Sequence, residues 1–205
     1  MTKRAALESR TVEELAQLGL GDAAALEEIV EAISGDVRRL RQRCAGALSL
    51  VSQQNPELLL PFVNELSDAL HRPEARTRWE CLDALTNLVP LDARSAGKAL
   101  PGAEAALFDE ESGPVRLAAF GYLAAYGATT ENRAARVWPL LDEAIQCYHG
   151  DPEYQDMLTS VMVFAGGKAA REVKDQLIAR LSFDADNAQG QLGRRSREAV
   201  ESARR

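Results

Sequence analysis

Apolar residues recur along almost the whole chain at intervals of three and four, the spacing that lines one face of a helix. "ELLLPFVNEL" (57–66) shows both the pattern and its interruption. Leu58, Leu59, Phe62 and Leu66 form a stripe to be buried, with Pro61 in its middle. Read this way the chain is all helix, with spans at about 11–19, 22–34, 36–52, 56–71, 73–89, 92–109, 113–127, 131–149, 151–166, 168–182 and 187–203. "TVEEL" opens the first span with a capping box of Thr11 and Glu14. "SFDADNAQGQLG" (182–193), rich in Asp, Asn and Gly, reads as a hinge or loop. "AGGKAA" (165–170) lacks the first glycine and the Ser/Thr of a phosphate loop, and reads as a helix-ending Gly-Gly before a new helix.

The eight prolines punctuate these spans. Pro56, Pro73, Pro114 and Pro152 precede apolar runs, where a missing N–H costs little, and Asn55 and Asp151 are suited to capping. Pro90 ends a helix. Pro61, Pro101 and Pro139 lie inside helical patterns at intervals of 40 and 38 residues. An interior proline costs about 3 kcal/mol and bends its helix, so the regular spacing points to one structural device used three times.

A second series keeps step with the first. "LRQRCAGAL" (40–48), "TRWECLDAL" (77–85) and "VRLAAFGYL" (115–123) align without gaps, and "YQDMLTSVM" (154–162) is a weaker fourth copy. Arg41, Arg78 and Arg116 share one position; Cys44, Cys81 and Ala119 share another; Leu48, Leu85 and Leu123 a third. A period of about 38 with two helices per unit marks a helical solenoid.

A Leu-Pro helix, an acidic turn and then Val-Arg-x-x-Ala-x-x-x-Leu resembles the HEAT repeat. "ALPGAEAALFDEESGPVRLAAFGYLAAYG" (99–127) is the best copy, carrying Pro101, Asp109, Val115 and Arg116 in order. The resemblance implies a right-handed α-α superhelix of about five helical pairs, one repeat domain over 1–205. Clear repeats cover about 36–165, with atypical capping helices at 1–35 and 166–205. It also implies that the arginine ladder is structural, pairing with turn acids, for which Asp68 and Asp109 are available. The alternative for the ladder is an anion-binding stripe.

Composition narrows the setting. The formal charge of −7 disfavours nonspecific attraction to nucleic acid or anionic lipid. The start of the chain has no apolar signal region, and no stretch approaches a membrane span, so a soluble cytoplasmic protein without a membrane partner is expected. Three cysteines without a Cys-x-x-Cys pair suit a reducing compartment.

Candidate chemistry is sparse. His71 and His149 fall in turns two repeats apart, roughly 20 Å at the usual helix spacing, too far to share a metal. Cys44 and Cys81 are core positions on neighbouring helices, and Cys147 lacks a base on its helical face. No catalytic, cofactor-binding or metal-binding set emerges. The remaining candidate is the row of second-helix positions facing away from the first helices: Arg39, Gln42, Arg43 and Gly46; Trp79, Glu80 and Asp83; Leu117, Ala118 and Gly121; Asp156, Met157 and Ser160. Trp79 and Leu117, beside Glu80, Asp83 and Gly121, compose a protein-binding groove, unless Trp79 packs on a neighbouring helix.

The leading expectation is a non-catalytic scaffold that presents a concave helical surface to a basic or amphipathic protein or peptide. The alternative is a nucleic-acid enzyme of the HEAT-like alkylpurine DNA glycosylase type. That enzyme needs a basic concave row, whereas Glu80, Asp83 and Asp156 stand in this one. A chromophore lyase-like protein of the short-repeat HEAT type fits less well, because the period is about 38 rather than about 30. The basic segment "GRRSREAVESARR" (193–205) reads as a solvated helix or as a contact for an acidic surface.

Overall fold

The computed structural model describes residues 7–205, and among these every regular element is helical. The chain forms two compact units, Met1–Ala106 and Leu107–Arg205.

In the first unit, α1 (Val12–Gly21) and α2 (Ala23–Ala32) lead into α3 (Arg38–Gln54). The capping box opens α1: the Thr11 amide donates to Glu14 Oε2 at 2.8 Å and the Glu14 amide to Thr11 Oγ1 at 3.2 Å. The Asp22 carboxylate does the same service for α2, accepting from the Ala24 and Ala25 amides. A 3-10 segment (Pro56–Phe62) then precedes α4 (Val63–Asp68), and another (Ala69–His71) precedes α5 (Ala75–Ala96). The 3-10 turn Gly97–Ala99 and α6 (Leu100–Leu107) follow.

This arrangement explains how a buried stripe accepts Pro61. The residues before Val63 wind as a 3-10 helix, so the absent N–H falls ahead of the α-helical ladder. Leu59 and Leu66 are fully buried, while Leu58 and Phe62 are half-buried. Pro101 is the second residue of α6, again just behind a 3-10 turn. The expected single device is therefore two: only Pro139 stands inside an unbroken α-helix. Pro90 precedes a real break. Asp92 leaves helical geometry (φ −146°, ψ 79°), and its carboxylate caps the Arg94 and Ser95 amides at 3.1 and 3.0 Å.

The core of this unit lies on the predicted faces. Leu40, Cys44, Ala47, Leu48 and Val51 of α3 are buried, as are Cys81, Leu82, Leu85 and Leu88 of α5. Burial pushes the Cys44 thiol up to about 12 and raises Cys81 further, so both are inert packing groups.

The second unit holds α7 (Gly113–Gly127), α8 (Glu131–Cys147), α9 (Tyr154–Ala165), α10 (Arg171–Asn187) and α11 (Gly190–Arg204). Ser112 and Thr130 cap α7 and α8 through the Val115 and Arg133 amides. Trp138 stacks on Phe164 at 5.9 Å between ring centroids. Gly127 permits this approach, because a Cβ there would lie 2.5 Å from Val137 Cγ2 and 2.7 Å from Phe164 Cε2.

Two local expectations are corrected here. Asn55 makes no side-chain cap, and α9 is entered through Glu153 rather than Asp151. The hinge expected over 182–193 is helix apart from Ala188 and Gln189. Leu181, Asp184 and Ala185 are buried and carry α10 to Asn187. Gly193 then lets α11 pass against the Ala188 carbonyl, 2.0 Å from where a Cβ would stand.

Candidate functional site

Two of the three ladder arginines, Arg41 and Arg116, form latches between successive repeats. Arg41 Nη1 donates to the Gly35 carbonyl at 2.7 Å, and its Nε and Nη2 donate to the two carboxylate oxygens of Glu74. In the second unit Arg116 Nη1 donates to the Asp109 carbonyl at 2.8 Å, its Nε donates to Glu153 Oε1 at 2.8 Å, and Asp151 stands 3.7 Å away. Each glutamate follows a proline (Pro73, Pro152) and occupies the N-cap position of the next second helix, α5 or α9. The acids that Arg41 and Arg116 grip are thus Glu74 and Glu153, at the N-caps of the following helices. A guanidinium fork suits the task, since it can bridge a carbonyl behind and a carboxylate ahead.

The first unit's candidate ridge lies on α3 and α5. Trp79 and Glu80 are half-buried and Asp83 is exposed. Trp79 and Asp83 are one helical turn apart and share a face. Arg76 reaches Glu80 at 3.4 Å, and these two side chains cover Gly46, which is buried rather than facing out. Asp83 is open to water yet recessed among protein atoms. That enclosure, aided by the charge of Glu80, pushes its carboxyl up to about 6.

Nearby, Arg39, Gln42, Arg43 and Arg76 line a recess of about 370 Å³ with Glu8. The basic row is partly committed: Arg43 donates to the Glu8 and Arg10 carbonyls at 2.7 and 2.8 Å, fastening the N-terminal segment to α3.

In the second unit Leu117 and Gly121 are half-buried on α7. A Cβ at Gly121 would lie 3.5 Å from Ser160 Oγ, so this part of the ridge is closely backed by α9. Two expected members turn inward: Ala118 is buried, and Met157 is fully so. At the start of α9 the second helix rotates its apolar face, with Tyr154, Met157, Leu158 and Val161 all buried. Asp156 remains exposed and takes an ion pair from Arg195 at 2.8 Å, so this acid is already partnered by α11.

His71 is exposed at the end of its 3-10 turn. His149 has a partner that sequence reasoning missed: its Nε2 lies 3.0 Å from Asp184 Oδ2. Asp184 sits in the segment taken for a loop, which hid it. Among the described residues no group of three or more His, Cys, Asp or Glu could hold a metal, and no helix is long and apolar enough to cross a membrane.

Solved structures place this architecture. An engineered protein superposes with a TM-score of 0.75 at 16% identity, covering 98% of this chain and 93% of that one. A designed armadillo repeat protein in complex with the peptide (KR)4 superposes at 0.70 with 14% identity, covering 94% and 91%. The chain has an armadillo/HEAT-like repeat fold. Computationally designed armadillo repeat proteins for modular peptide recognition superpose at 0.67 with 14% identity, covering 93% and 91%. At these identities the likeness is one of fold. No protein-family model matches the sequence, and no curated protein matches it.

Proposed function

We propose that this armadillo-like chain is a non-catalytic interaction module that binds a basic or amphipathic peptide segment along the second-helix ridge of its first unit. The carrying observation is Asp83. Its carboxyl is held near 6 by enclosure and by the like charge of Glu80, on the helix face that also carries Trp79. A lysine or arginine from a partner would relieve that repulsion, and Trp79 offers a wide apolar surface beside it. Leu117 and Gly121 belong to this reading as a second contact patch on the other unit. A designed protein of the same fold holds a peptide of alternating lysine and arginine, which agrees with the chemistry proposed. Nucleic acid and membrane are not partners in this reading, no cofactor is needed, and the acidic ridge suits neither the glycosylase alternative nor a phosphate backbone.

The test is titration calorimetry with (Lys-Arg)4 against a (Ser-Gly)4 control. Trp79→Ala is expected to weaken binding at least tenfold with helical content and Tm nearly unchanged, and Asp83→Asn is expected to weaken it as well. Equal affinity for both peptides, or unfolding by Trp79→Ala with unaltered affinity in what remains folded, would sink the proposal.

A further inference from the structure

Polar bridges link the helices α8 and α10 of the second unit. Trp138 Nε1 donates to Gln176 Oε1 at 2.6 Å, and Arg180 grips Asp142 with Nε at 2.5 Å and Nη2 at 2.9 Å. His149 and Asp184 form the third bridge. Beside it opens a recess of about 280 Å³, lined by His149, Tyr154, Arg180, Phe183 and Asp184 among others.

The lining has a chemical signature. Phe183 is 75% exposed, the most exposed large apolar side chain among the described residues, and stands where an isolated ring gains little from folding. The His149 and Tyr154 rings lie 4.9 Å apart between centroids. Asp184 is buried with one carboxylate oxygen given to His149. Tyr154 is 2% exposed and its hydroxyl has no hydrogen-bond partner. Tyr154 lines the recess together with Asp184 and Arg180, and its hydroxyl feels the charges of both. A buried hydroxyl without a partner costs about 1–3 kcal/mol, so the site holds polar capacity that the chain itself leaves unused.

We infer that this recess receives an arginine side chain from a peptide, at a site separate from the Trp79 ridge. The charge count favours a cation: Asp142 already neutralises Arg180, and Asp184 has only the imidazole of His149 set against one of its oxygens. Shape favours a guanidinium. Its flat face stacks on Phe183 while its edge donates to the second oxygen of Asp184 and to the Tyr154 hydroxyl. A lysine ammonium is more strongly hydrated and has no face to stack. The volume lies just below the roughly 300–1,000 Å³ of pockets that hold whole cofactors or drug-sized ligands, and suits one side chain.

The experiment is NMR titration of the intact chain with Gly-Ser-Arg-Ser-Gly and with the same peptide carrying citrulline, the neutral isostere. Shifts at the Phe183 and His149 rings with the arginine peptide, at least tenfold weaker binding of the citrulline peptide, and a threefold or greater loss in Phe183→Ala are expected. Phe183→Ala removes an exposed ring and leaves the fold intact, so it decides the matter even where Asp184→Asn does not fold. Equal binding of the two peptides, or no response at Phe183 and His149, overturns the inference. Free L-arginine binding as tightly as the peptide overturns the peptide assignment. Trp79→Ala should leave these shifts unchanged, and their loss in that variant would move the binding to the other ridge.

Discussion

Arg116 Nε donates to Glu153 Oε1 at 2.8 Å across 37 residues of sequence, tying the start of α7 to the start of α9. Both side chains are mostly withdrawn from water, at 14% and 10% exposure. Removing one partner therefore strands a charge that the protein has already desolvated. Arg116→Ala is expected to lower the unfolding free energy by about 3 kcal/mol, the lower end for a buried pair. Arg116→Lys should fall between, because an ammonium cannot hold both the Asp109 carbonyl and the carboxylate. Replacing both residues by leucine should recover much of the loss. Urea denaturation of the three variants checks this, and a loss below about 0.5 kcal/mol in Arg116→Ala would reduce the latch to a surface contact.

The equivalent latch in the first unit gives a pH dependence. The hydrogen bonds from Arg41 hold the Glu74 carboxyl below its ordinary value. An acid whose folded pKa is depressed stabilises the fold above its unfolded pKa, about 4.3 for glutamate. That contribution is lost as the pH falls through the lower, folded value. Glu74→Gln should thus be less stable than the parent near pH 7, and the gap should close in acid. Parallel stability curves from pH 7 to pH 3 would contradict the assignment.

The repeat was legible because it is written in packing. Leu48, Leu85 and Leu123 recur in phase and are all fully buried, and helix starts at Thr11, Ser112 and Thr130 carry their own capping chemistry. The sequence was misleading where two local preferences compete. Asp184 and Asn187 favour a loop by type, yet Asp184 is buried against His149 and the helix runs through it. Met157 occupies a position that carries half-buried Arg43 and Glu80 in the first two copies, but it is already buried as Ala118 in the third, and the fourth copy starts with Tyr154, a large core ring. That Trp79 and Asp83 share a helix face could be read from their spacing alone. The recess at Phe183 could not, because its members come from three helices and the turn after α8.

Leu85 and Leu123 test the shared register within each unit separately. Both have no exposed surface. Truncating a buried leucine to alanine costs about 2–5 kcal/mol, depending on how far the surroundings collapse. Leu85→Ala and Leu123→Ala should each fall in that range by chemical denaturation. Losses under about 0.5 kcal/mol in both would mean that the assigned core faces are wrong.

The paired glycines after α9 should respond unequally to the same change. Gly166 ends the helix with φ −75°, a conformation open to any residue, and a Cβ there would meet Ser202 Oγ at 3.2 Å. That hydroxyl can rotate away, and alanine also restricts the unfolded chain, worth about 0.4–1 kcal/mol in favour of folding. Gly167 has no such freedom. A Cβ there would lie 2.5 Å from Ala128 Cα and 2.6 Å from the Ala128 carbonyl oxygen, backbone atoms that cannot turn aside. The same carbonyl accepts the Lys168 amide at 2.9 Å, which fastens the link before α10 to the end of α7. Gly167→Ala must push this link outward and stretch or break that bond. It is expected to cost about 1–3 kcal/mol, the usual penalty of overpacking, while Gly166→Ala changes stability by less than about 1 kcal/mol. Thermal unfolding of the two single variants decides it, and equal melting temperatures would show that the Ala128–Gly167 contact is not as close as the geometry requires.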